Sequence, residues 1–166
     1  YKWYKKGENF LYDFQENFSY DIPGFNFTNG NLVVDSGNYG IHGYGTVAVG
    51  TLKITSVNNA IQSKKGNNNS GNLSLDIKAK NIELYVGENG HAMQVENTLN
   101  IESDVLNIAS IEGSSYQRPI RIAGATANIE VGTLNISGAT ASSKVDGSGI
   151  LNLTAAAGKI DSSFVA

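Results

Sequence analysis

The sequence predicts an all-β protein, a parallel β-helix of about five to six three-stranded coils with an aromatic cap at its N-terminal end. Three observations predict it. The composition is that of strands and turns: 19 glycines, two prolines and one methionine, with abundant Asn, Ser and Thr. From residue 45 onward the apolar residues come as alternating pairs, such as Leu99-Asn100-Ile101, Leu106-Asn107-Ile108, Leu134-Asn135-Ile136 and Leu151-Asn152-Leu153, the period-two spacing of one strand face. The pairs also recur at a near-constant distance, which is what a solenoid needs if each turn of chain lies on the previous one.

Residues 1–30 are read as the cap. Twelve of the fifteen aromatic residues lie in residues 1–44, and the stretch from Asn9 to Tyr20 mixes rings with polar groups, able to cover an aliphatic core while leaving hydroxyls wet. Pro23-Gly24 is the expected turn into the first coil. Residues 31–166 are read as the repeats. A first series of strands opens at Val47, Leu73, Leu99, Ala127 and Leu151, with steps of 26, 26, 28 and 24 residues. A second opens at Leu52, Ile82, Leu106 and Leu134, and a third runs through Ile41, Ile61, Met93, Ile120 and Val145. The first and third each cover 104 residues in four steps, a mean period of 26.

Stacked coils put like aliphatic residues about 4.8 Å apart in ladders, and Asn58, Asn59, Asn89 and Ser114 at the bends are candidates for polar ladders. A lone coil cannot bury enough apolar surface to offset the ordering of its backbone, so stability must come from stacking. The rival architecture is an antiparallel sandwich or jelly roll, because Asn29-Gly30, Asn89-Gly90 and Asp146-Gly147 resemble two-residue hairpin turns. Against it, strands follow one another after about four residues and the pattern returns three strands later.

Charge and composition exclude several functions. The net charge is -3 with 16% charged residues, and Lys2, Lys5 and Lys6 form the one dense basic patch, so no nucleic-acid partner is expected. Without cysteine there is no disulfide, thiolate metal site or cysteine nucleophile. No apolar run is long enough to insert in a membrane as a helix. The chain starts at Tyr1 rather than Met and is expected to be a fragment of a longer one.

Catalytic constellations are not found. His42 and His91 stand in no ligand spacing, and no GxSxG elbow occurs, so neither an enzyme, a cofactor nor a metal is expected. Asp76, Glu102 and Glu130 follow the first series at steps of 26 and 28 and are expected to form an acidic stripe on the outer surface. Stacked like charges repel unless Lys53, Lys78 or a cation sits beside them. The candidate binding residues are those of two stretched bends: Lys64 and Lys65 before a run of Asn, and Tyr116 with Arg118, an aromatic and an arginine together.

The repeated xLNIxx strands, the Gly- and Asn-rich bends, the lack of cysteine and the aromatic N-terminal segment together resemble the passenger region of a bacterial type V autotransporter, over about residues 20–166. The resemblance implies a right-handed β-helix displayed at the surface of a Gram-negative cell, held by a C-terminal outer-membrane barrel absent from this sequence. It also implies an adhesin that contacts a host or bacterial surface protein or glycan, with self-association among the expected behaviours. A polysaccharide-active β-helix enzyme and a structural spacer for a distal domain are the competing readings.

Overall fold

The computed structural model describes residues 2–6, 9–14, 22–64, 74–161 and 164, and the side chains of those from residue 26 onward. The described residues form thirteen strands: β1 (Lys2–Lys6), β2 (Asn9–Phe14), β3 (Ile22–Thr28), β4 (Asn31–Ser36), β5 (Ile41–Ser56), β6 (Ile61–Ser63), β7 (Leu75–Val86), β8 (Met93–Val95), β9 (Leu99–Ser110), β10 (Ile120–Ala123), β11 (Thr126–Ile136), β12 (Lys144–Asp146) and β13 (Ile150–Ile160). Apart from the β1–β2 hairpin, every strand pairing among them is parallel.

The architecture is a parallel β-solenoid of about five coils. Long strands β5, β7, β9, β11 and β13 stack in that order, and short strands β6, β8, β10 and β12 stack beside them on the opening residues of β5. Each long strand covers two faces. In β7 the burial alternates from Leu75 to Ala79, breaks at the exposed pair Lys80-Asn81, then resumes from Ile82 to Val86. The same corner falls at Gly50, Asp104 and Gly132, where the pairing skips one residue. Residues before the corner make the first face, those after it the second, and the short strands the third.

The core is made of aliphatic columns. Leu32, Leu52, Ile82, Leu106 and Leu134 lie over one another, each no more than 1% exposed. Ile41, Ile61, Met93 and Ile120 form the corresponding column of the third face. Two members of the expected series belong elsewhere. Leu99 stacks on Leu75, and Val47 on Ile77; Leu73 lies outside the described residues. Val145 stacks on Ile122 rather than Ile120. The reason is common to both. Leu73-Ser74-Leu75-Asp76-Ile77 and Ile120-Arg121-Ile122 carry apolar residues at every second position, and a slip of two keeps the same face inward, so alternation alone leaves that register open.

Turns that resemble hairpins are corners instead. Asn29 and Gly30 both have left-handed backbone, with φ of 67° and 72°. They join β3, which lies on residues 43–48, to β4, which lies further along the same strand β5. Gly30 accepts a hydrogen bond from the Gly50 amide at 2.8 Å, so the bend rests on the corner of the next coil. Pro23-Gly24 falls in β3, at a register shift between Ile22 and Phe25, rather than in a turn. In the backbone of residues 1–30, β2 lies parallel on β4 and β1 folds back on β2. At the other end, β13 pairs on one side with β11, and Ile150, Ile160 and Val145 are about half exposed.

Candidate functional site

The first face presents the outward residues of successive long strands as two adjacent columns. One holds Thr46, Asp76, Asn100, Asn128 and Asn152; the other holds Ala48, Lys78, Glu102, Glu130 and Thr154. Together they line a shallow groove of about 480 Å³ that runs across the coils. The repeat motif creates it. In Leu-Asn-Ile the two apolar side chains point inward, which turns the Asn outward, and parallel stacking sets each Asn on the next.

The carboxamides are tied into a ladder. Asn152 Nδ2 donates to Asn128 Oδ1 at 2.8 Å, Asn128 Nδ2 to Asn100 Oδ1 at 2.9 Å, and Asn100 Nδ2 to Asp76 Oδ1 at 2.7 Å. The Ser74 hydroxyl reaches both Asp76 oxygens at 3.0 Å. An ionised carboxylate can only accept. Asp76 therefore obliges Asn100 to offer its NH₂ group, which turns Asn100 Oδ1 toward Asn128 and fixes the orientation of every amide beyond it. A shorter ladder on the second face joins Asn135 Nδ2 to Asn107 Oδ1 at 2.7 Å.

The acidic stripe is accordingly two features. Asp76 heads the amide ladder, whereas Glu102 and Glu130 stack in the neighbouring column beside Lys78. Lys78 Nζ lies 3.6 Å from Glu102 Oε1, and both side chains are largely exposed, so the pair contributes less than about 1 kcal/mol. Glu130 has no ion-pair partner among the described residues. The groove thus carries three carboxylates against one ammonium.

The other expected site residues are distributed differently. Tyr116 is 1% exposed and is the largest fully buried side chain among the described residues; its ring lies in the core and offers no surface to a ligand. Its hydroxyl has no hydrogen-bond partner among the described residues, and burial, followed by the nearby Asp161 carboxylate, pushes its pKa up. Tyr116 pairs with Ala139 of the next coil and its amide donates to Gly138 O, so the residue belongs to a solenoid corner rather than a free loop. Arg118 is half-buried, and its Nη1 donates to Ser142 O at 2.5 Å. Lys64 is half-buried and its amide donates to Gly43 O, which places it on the third face, apart from Tyr116 and Arg118. Lys65 and the following bend to residue 73 lie outside the described residues.

Among the bend residues expected to ladder, Asn58 does so, donating its Nδ2 to Asn38 Oδ1. Asn59 joins a network instead: its Nδ2 donates to Gln62 Oε1 at 2.9 Å and reaches Gln94 Oε1 at 3.3 Å, and both glutamines donate to the Glu96 carboxylate at 2.9 Å. Asn89 contributes its backbone carbonyl, which accepts from Gln117 Nε2 at 3.4 Å, and Ser114 bonds locally to Ser115 O.

His91 has a structural role with a pH signature. Its amide donates to Asn59 Oδ1 at 2.8 Å, its ring is buried, and Nδ1 has no partner among the described residues. Burial first, then the charges of Arg121 and Arg118, lower its pKa to about 4. The unfolded chain takes up this proton near pH 6.5 and the folded chain resists until about pH 4, so stability contributed by neutral His91 is present above pH 6.5 and lost as pH falls through that window. Denaturant unfolding at pH 7 and pH 4 is expected to differ by about 2–3 kcal/mol more in the parent than in His91→Gln; equal differences would exclude His91 as the source.

No protein-family model matches this chain, and no curated protein or solved structure matches it either. The resemblance to autotransporter passengers therefore rests on the repeat pattern and on the solenoid.

Proposed function

We propose that the chain is a non-enzymatic adhesive segment, a rigid β-solenoid that holds polar faces toward a ligand at a cell surface, as the passenger region of a type V autotransporter does. The observation that carries this reading is the groove of the first face. Its carboxamides are locked in one orientation by Asp76, and its lining repeats at the spacing of the strands. A preorganised surface loses little side-chain entropy on contact, and a lining that repeats gives many weak equivalent contacts whose sum rises with the length of ligand engaged. The partner is proposed to be a host-cell or bacterial surface protein or glycan, and the location the outer surface of a Gram-negative cell.

Beads coated with the chain through one terminus test this. They are expected to attach to host or bacterial cells under flow more than beads coated with a charge-matched control protein, and free chain should compete. Attachment equal to the control would overturn the adhesive reading.

A further inference from the structure

We infer that the groove of the first face binds an extended amino-sugar polysaccharide, with its ammonium groups at Glu130 and Glu102 and its hydroxyls on the Asn ladder. The inference rests on the adhesive reading and names the ligand class for it. It follows from charge, hydrogen-bonding capacity and periodicity taken together.

Charge comes first. Within the groove Asp76, Glu102 and Glu130 share one ammonium among the described residues, that of Lys78, and Lys78 is engaged by Glu102. Glu130 lies directly over Glu102, one strand spacing away, with no cation beside it among the described residues. Stacked like charges destabilise each other, so a cationic ligand relieves a repulsion already present, whereas a uronate or sulfated polymer adds to it.

Hydrogen bonding then selects hydroxyls. Asn100 and Asn128 each use one N–H and one oxygen lone pair on their ladder neighbours, which leaves a second N–H and a second lone pair for a ligand. A hydroxyl both donates and accepts, so it suits such a site in either orientation. A basic peptide lacks that match, and the face offers neither a free strand edge nor a deep side-chain pocket to hold one. The backbone groups of β7, β9 and β11 are paired to strands on both sides, so strand addition is blocked, and the groove stays shallow along its length.

Periodicity favours a polymer. The lining repeats about every 4.8 Å, and Asp76 to Asn152 span three such steps, about 14 Å. A ligand that matches it must itself repeat along an extended chain.

Glucosamine oligomers of defined length, titrated calorimetrically below the pKa of their amines, test the inference, with N-acetylated oligomers, uronate oligomers and oligolysine as comparison probes and circular dichroism to verify folding. Binding is expected to tighten with oligomer length until about four units are reached and then level off, because longer chains overhang the groove. Glu130→Gln is expected to weaken it at least about tenfold, the loss of a charge-assisted contact. Asn128→Ala should weaken it several-fold, and Lys53→Ala on the second face should leave it unchanged. Equal binding by the N-acetylated or uronate oligomers, equal binding by oligolysine, an unaltered Glu130→Gln, or no binding at all would each overturn the inference. Should Glu130→Gln fail to fold, Glu102→Gln replaces it with the same expectation. Cell attachment by coated beads that persists without glucosamine binding would leave the adhesive reading standing while removing this ligand.

Discussion

Tyr116→Ala is expected to lower the unfolding free energy by about 3–5 kcal/mol, the range for emptying a large aromatic site in a core. Tyr116 is almost fully buried, and its backbone ties two coils: its amide donates to Gly138 O at 3.2 Å and its carbonyl accepts from the Thr140 amide at 2.8 Å. Removing the ring leaves those bonds in place and opens a void at the level of a corner, where neither adjoining coil can collapse without losing register. Tyr116→Phe separates volume from polarity. The hydroxyl has no partner among the described residues, so its deletion is expected to raise stability by about 1 kcal/mol. Chemical denaturation of the three proteins checks both signs. A Phe variant weaker than the parent would mean that the hydroxyl is satisfied in solution.

Gly90→Ala is expected to destabilise by at least about 3 kcal/mol, at the upper end of overpacking effects. A Cβ at this position would overlap both the carbonyl carbon and the oxygen of Asn58, and would stand 2.9 Å from Val86 Cγ1. The two Asn58 atoms are backbone of the preceding coil and cannot swing aside. The carbonyl of Gly90 also accepts from the Gln117 amide at 2.7 Å, so the strain passes to the following coil. Gly113→Ala is the comparison within the same series. That glycine has a φ of +78° but nothing within 4 Å of its would-be Cβ, so its effect is one of backbone conformation alone and should be about 1 kcal/mol. Thermal or urea unfolding ranks the two; a Gly90→Ala variant no weaker than Gly113→Ala would mean that the coils are not in close contact at this bend.

Much of this fold is legible in residue order because stacking makes chain distance regular. The columns through Leu52 and Ile61 follow directly from the spacing of the second and third series of apolar residues. Leu75 and Ile122 do not, because a slip of two residues is invisible to alternation, and hydrogen bonding between coils chooses the register. Tyr116 is hidden for a different reason. Its neighbours Gly113, Ser114, Ser115 and Gln117 have the composition of a solvated loop, and nothing local tells that its backbone bridges to Ala139 in the next coil. The groove has a sequence signal of its own. Asn100, Asn128 and Asn152 each occupy the outward position between two inward-facing apolar residues, and the recurrence of one polar residue type at that position marks a ladder on the surface. Spacing also groups Asp76 with the glutamates, because its step of 26 to Glu102 matches the mean period, whereas the true step at that level is 24, from Asp76 to Asn100.

The hydrogen bonds that join the coils run along the stacking direction, while the strands lie across it. Tension applied between the two ends therefore opens those bonds in sequence, as a zipper opens, rather than shearing them all at once. Each turn contacts only its neighbours, and successive turns from β5 to β13 differ by 24 to 30 residues. Peeling one turn frees about 80–100 Å of slack. A solenoid built this way yields under load in small increments rather than in a single abrupt rupture.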